Sequence, residues 1–161
     1  MEIKRFVEVL RQNELLFADM YRECVRLFPA HKEDFEVFVR EEEAHACVFA
    51  RIAADLAAHP ANWRMGKVSL RAIEVVQQQI KDALVEIRSG NSAPRYAITM
   101  LRNFEQGMGE RASEKVLETD SESLQKEVAA IRDGFTGHLT RLQQLEREIF
   151  PASDKDKLFE I

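Results

Sequence analysis

Cysteine is scarce in this chain. Cys24 and Cys47 are the two present, and they form no CxxC pair. A disulfide framework, a zinc ribbon and a rubredoxin-type iron site are therefore unsupported. Helix breakers are scarce too: six glycines and four prolines serve 161 residues and cluster between long periodic segments, which points to an all-helical chain. No basic run stands out and the net charge is -5, so nothing favours a nucleic-acid partner. No segment has the apolar length of a membrane span. The opening MEIKRFVEVLRQ is amphipathic, without the continuous apolar stretch of a signal peptide, and the cytoplasm is the expected compartment.

What is present suits a soluble domain. Hydrophobic residues make up 45% and charged residues 32%, and 161 residues suffice to bury one core. Four long segments repeat apolar residues at alternating steps of three and four, the helical spacing. The first stripe is Ile3, Val7, Leu10, Glu14, Phe17, Tyr21, Cys24, Phe28, followed by Pro29, which suits the first turn of a new helix. The second is Phe35, Phe38, Glu42, His45, Phe49, Ile52, Leu56, ended by AHPANWRMG. The third opens at NSAP, where Ser92 is the expected cap and Pro94 the first turn, and runs Ile98, Leu101, Glu105, Met108, Ala112 before ETDSES breaks it. The fourth is Leu124, Val128, Ile131, Phe135, His138, Leu142, Leu145, Ile149, ending before Pro151.

A shorter amphipathic segment with Ile73, Val76, Ile80, Leu84 and Ile87 lies between the second and third stripes. The expected layout is one domain over 1–161: a hairpin at about 2–58, a crossover carrying its own helix at about 59–91, and a second hairpin at about 92–150. Two helical hairpins joined by one long crossover is the topology of a ferritin-like four-helix bundle. Gly107 and Gly109 fall inside the third helix, each costing about 1 kcal/mol relative to Ala, and permit either close helix contact or a local distortion.

Five polar residues interrupt stripes that otherwise read as core: Glu14, Glu42, His45, Glu105 and His138. A buried carboxylate is costly unless it is paired, hydrogen-bonded or bound to metal. Glu42 and His45 are three apart and face the same way. Each hairpin places an acid in its first helix and a histidine in its second, Glu14 with His45 and Glu105 with His138, at similar intervals. A pseudo-twofold arrangement would bring all of them to one level. A Glu-x-x-His pair opposed by a Glu from the preceding helix is the ligand logic of carboxylate-bridged di-iron sites. Carboxylates bridge two cations, and neutral imidazole completes each shell. The remaining polar residues read blandly. His31 and His59 take no role, Cys24 reads as core and Cys47 as unremarkable. Glu41 and Glu43 flank the stripe as solvated acids, with Glu41 in reach as a replacement ligand.

On Glu14 with Tyr21 seven later, on EEAH ending in Glu42-x-x-His45, on Glu105 in LRNFEQGMGERA and on FTGHLTRLQQLE around His138, nearly the whole chain resembles the rubrerythrin-like branch of the ferritin-like superfamily. The resemblance implies Glu14 as terminal ligand of one metal, Glu42 as bridge and His45 as that metal's imidazole. It implies Glu105 and His138 as ligands of the second metal, with Tyr21 beside the site. It implies iron, one or two ions, with manganese as the alternative, and oxidoreductase or peroxidase-type chemistry on O2 or H2O2. The electron donor would be external, because the rubredoxin-like module is missing, and a homodimer is the assembly it suggests.

One position departs from the pattern. The second Glu-x-x-His requires Glu at 135, and this chain has Phe135. One bridging ligand is thus lost. Water, or a neighbour such as Glu110, would have to replace it, or a single metal would remain, held mainly by the first hairpin. The alternative function is a non-catalytic bundle whose metal site has decayed, acting as a binding or structural module. Iron storage ranks lower, since nothing signals a hollow shell.

Overall fold

The computed structural model describes residues 2–111 and 116–151, without the side chains at 108–111, 132 and 135. Met108, Gly109, Glu110, Ala112 and Phe135 therefore lie outside the described residues or side chains. Among the described residues five α-helices carry the fold: α1 Glu2–Leu27, α2 Lys32–Ala58, α3 Leu70–Ser89, α4 Pro94–Arg111 and α5 Glu122–Ile149. The architecture is mostly helical, as the scarcity of breakers predicts. Among the described residues, no helix is long and apolar enough to cross a membrane.

The helix ends follow from local chemistry. Pro29 and Pro60 each open a single 3-10 turn, one leading into α2 and one following it. Ser69 caps α3, its Oγ accepting from the Ala72 N–H at 3.2 Å. Gly90 ends α3 with φ of 73°, the left-handed conformation that only glycine adopts without strain. Pro94 does open α4, but the expected cap does something else. Ser92 donates its hydroxyl to the Glu86 carbonyl at the end of α3, and the first α4 turn closes on the Ala93 carbonyl. With Pro94 at the first helical position, residue 93 takes the cap place, one later than the sequence suggested.

Two apolar clusters fill the interior. One joins Phe17, Tyr21 and Cys24 of α1 with Phe35 and Phe38 of α2, Ile80 and Leu84 of α3, Ile98 and Leu101 of α4, and Leu142 and Leu145 of α5. The other joins Phe6, Val7 and Leu10 with Phe49, Ile52, Leu56, Trp63, Ile73, Leu117 and Ile131. Chain direction follows from these memberships. α1, α3 and α5 run from the second cluster to the first, α2 runs back, and α4, which starts in the first cluster, leads on to Leu117 in the second. α1 packs on α2, α2 on α5, α5 on α4 and α4 on α1, a closed ring with antiparallel neighbours. α3 lies outside the ring over α1 and α4 and buries Ile73, Ile80, Ala83, Leu84 and Ile87. Each of the Ile and Leu side chains contributes about 1.5–3 kcal/mol, so the crossover helix is a structural member of the core.

A small feature departs from the all-helical expectation. β1 Trp63–Met65 pairs antiparallel with β2 Leu117–Thr119 in the register Trp63 to Thr119 and Met65 to Leu117. It ties the crossover to the α4–α5 connection. Three-residue strands are too short to leave a periodic signal. Gly107 also resolves: a Cβ there would meet nothing within 4 Å, and α4 passes through it as unbroken helix, so it marks neither a close contact nor a break.

Candidate metal centre

Between the two apolar clusters lies a polar layer, and helical periodicity puts it there. On α1, Glu14 falls between Leu10 of one cluster and Phe17 of the other; on α2, Glu42 and His45 fall between Phe38 and Phe49. Glu105 follows Phe104 on α4, and His138 sits between Ile131 and Leu142 on α5. Glu14, Glu42, Glu105 and His138 are buried, and the His45 side chain is 15% exposed. The structure brings all five expected residues together.

They form two overlapping trios, Glu14–Glu42–His45 and Glu42–Glu105–His138, each with ligand-type atoms within 4.8 Å of one another. Glu42 belongs to both. Its Oε2 is 3.1 Å from His45 Nδ1 and its Oε1 is 2.9 Å from His138 Nδ1. The second contact lacks hydrogen-bond geometry and leaves Oε1 without a hydrogen-bond partner. Glu14 Oε2 reaches His45 Nδ1 at 3.3 Å, and Glu105 Oε1 reaches His138 Nδ1 at 3.3 Å. The imidazole rings stack with centroids 5.7 Å apart.

Around this layer stand groups that hold it in place. Tyr21, buried on α1, donates its hydroxyl to Glu105 Oε1 at 2.8 Å and stacks on Phe38 with ring centroids 4.6 Å apart. Glu41 is no solvated bystander: its Oε2 lies 3.0 Å from Nε2 of His138, and Arg141 binds the same carboxylate through both terminal nitrogens. Arg141 in turn lies 4.4 Å over the Phe38 ring. Gly134 on α5 passes against His45, so that a Cβ there would sit 3.3 Å from the ring's Cε1. Glu41 could be read as a flanking acid from sequence; Gly134 left no signal, because its partner is far along the chain. The side chains of Phe135, where the resemblance expects a ligand, and of Glu110, the neighbour considered in its place, are outside the described set.

The electrostatics follow from burial and pairing. Burial raises Glu14 to about 8, partly offset by His45 and reinforced by the charge of Glu42. Burial works against Glu42 as well, but contacts with His138, His45 and Glu14 outweigh it and hold this carboxyl down to about 2. Burial pushes Glu105 up, against the contact with His138. Burial would depress both imidazoles, yet Glu14 and Glu42 lift His45 to about 9, and Glu105 and Glu42 lift His138 to about 10. Two carboxyls pushed apart beside shared imidazoles titrate as one unit. Without a cation, the layer is balanced by imidazolium against carboxylate.

The donor set fits divalent first-row cations. Carboxylate oxygen with imidazole nitrogen suits iron and manganese as well as zinc. Glu42 Oε1 and Glu105 Oε2 are buried acceptors without hydrogen-bond partners. Such atoms cost about 1–3 kcal/mol each, which a cation between them would remove. His59 and the Trp63 indole both contact Asp55 at the end of α2, and buried Glu146 accepts from Arg102 at 2.7 Å. Cys24 is buried and Cys47 exposed. No protein-family model matches the chain, and no curated protein or solved structure is significantly similar to it.

Proposed function

We propose that this chain is a ferritin-like metal protein of the rubrerythrin-like kind, taking iron first and manganese second. One observation carries the reading: the Glu42 carboxylate presents one oxygen to each imidazole, Oε2 to His45 and Oε1 to His138, and so joins two three-residue donor sets. The closed ring of four helices, made from two hairpins and one long crossover, supports the fold half of the proposal.

Glu14, Glu42 and His45 would hold one ion, and Glu42, Glu105 and His138 the other. Bound iron would supply two electrons, one from each ion, for the reduction H2O2 + 2e⁻ + 2H⁺ → 2H2O, with an external one-electron donor restoring both. The chain's own groups do the rest. Tyr21 anchors Glu105 by its hydroxyl, and Glu41 pairs with Nε2 of His138 while Nδ1 faces Glu42 and Glu105. The two apolar clusters bound the layer above and below, and His45 remains partly open to solvent.

The second reading is a non-catalytic bundle whose polar layer is self-sufficient. His45 between Glu14 and Glu42 favours it, since that arrangement balances charge with no metal. Metal content decides between them. The chain, purified without chelator and reconstituted anaerobically with ferrous iron, is expected to retain iron on gel filtration, and the reduced protein to consume peroxide. Absence of retained metal would sink the first reading and leave the second.

A further inference from the structure

The two cation positions are not equivalent. Among the described residues, three buried side-chain atoms have no hydrogen-bond partner: Asn13 Oδ1, Glu42 Oε1 and Glu105 Oε2. Both carboxylate oxygens belong to the trio that contains His138. No Glu14 oxygen is among them, and the second Glu42 oxygen, Oε2, is engaged by His45 at 3.1 Å. The His138 half is also the better braced. Tyr21 hydrogen-bonds Glu105 at 2.8 Å, and Glu41, itself held by Arg141, forms an ion pair with His138 at 3.0 Å. All three members of that trio are buried, whereas His45 in the other is partly open to solvent.

We infer that cations load in order, the first between Glu42, Glu105 and His138 and the second between Glu14, Glu42 and His45. The physical reason is twofold. A cation in the His138 half displaces the His138–Glu105 contact but gives partners to two buried oxygens that have no hydrogen bond, while one in the His45 half displaces the hydrogen bonds of His45 with Glu14 and Glu42 and gains no such oxygen. Braced ligands also lose less freedom on binding. At limiting metal the chain therefore carries a single ion held mainly by the second hairpin with Glu42 of the first, opposite to the site held mainly by the first hairpin that the departure at 135 suggested. Two-electron chemistry then waits on the weaker, more open position, which makes it steeply dependent on metal supply.

This inference rests on the metal-binding reading, and the test separates the two. Zn²⁺ is titrated into the metal-free full chain with ¹⁵N-labelled histidine, followed by NMR, His45 being assigned with His45→Gln. The first equivalent is expected to shift His138 Nδ1 and the second His45 Nδ1. By calorimetry, Glu105→Gln is expected to remove the tighter step and Glu14→Gln the weaker, the steps differing by ~10-fold or more, the scale of outer-carboxylate effects. His45 shifting first, or both rings shifting together, overturns the order and keeps the metal site. No shift of either ring overturns the metal site itself. The wild-type spectra stand alone should a variant fail to fold.

Discussion

Glu41 Oε2 lies 3.0 Å from Nε2 of His138, and the other ring nitrogen of the same histidine faces Glu42 and Glu105. The contact is an ion pair that joins α2 to α5. Glu41→Ala is expected to weaken metal binding by about 10–100-fold, the range for loss of an outer-shell partner. Glu41→Gln, which keeps an oxygen beside Nε2 but loses the charge, should recover part of it. Competition against a metal-responsive dye checks both, and equal affinity in Glu41→Ala and wild type would remove this role.

Glu42 is shared by both trios, so its loss cannot be confined to one. Glu42→Ala should reduce bound metal to background, measured as metal per chain by elemental analysis. Unchanged content would sink the site assignment. The metal-free variant is also expected to be destabilised, because removing one partner strands buried charge on the others, at about 3–5 kcal/mol for a buried pair.

Gly134 gives His45 its room. A Cβ would stand 3.3 Å from Cε1 and 3.4 Å from Nε2 of that ring. Gly134→Ala gains about 1 kcal/mol of helix propensity and crowds the ring by a few tenths of an ångström, so stability should change little. Gly134→Leu has no such compromise. It should displace His45 and lower metal stoichiometry by the weaker step while leaving the His138 step, as read by calorimetry.

The pH dependence has opposite signs with and without metal. Raised values mean tighter proton binding in the folded chain. His45 and His138 move from 6.5 to about 9 and about 10, so their stabilising contribution is full below 6.5 and is lost as pH rises through those values. Glu14, raised from 4.5 to about 8, lowers stability progressively across that window as pH rises. Glu42, held at about 2 instead of 4.5, contributes above 4.5 and loses that contribution only as pH falls towards 2. The metal-free Tm should therefore fall from about pH 5.5 to about pH 8.5. Bound metal displaces the imidazole protons, so the metal-induced rise in Tm should grow over the same range. A metal-induced shift that is flat with pH would argue against imidazole ligation.

Ile80 on α3 is fully buried within the first apolar cluster. Ile80→Ala should cost about 2–5 kcal/mol in urea unfolding. A cost near zero would mean that the crossover helix is an appendage.

The sequence by itself determined the helices and the polar layer. Helical periodicity is local, so the steps of three and four that put Leu10 and Phe17 in the core also placed Glu14 between them. The same arithmetic placed Glu42, Glu105 and His138. Tertiary structure decided the rest, because it rests on pairs far apart in the chain. Spacing along one helix cannot say which oxygen of Glu42 meets which imidazole, that Glu41 braces a histidine 97 positions later, or that Gly134 makes room for His45. The β1–β2 ribbon was hidden for the same reason: three-residue strands exist through the partner they pair with, and that partner is known only once the helices have packed.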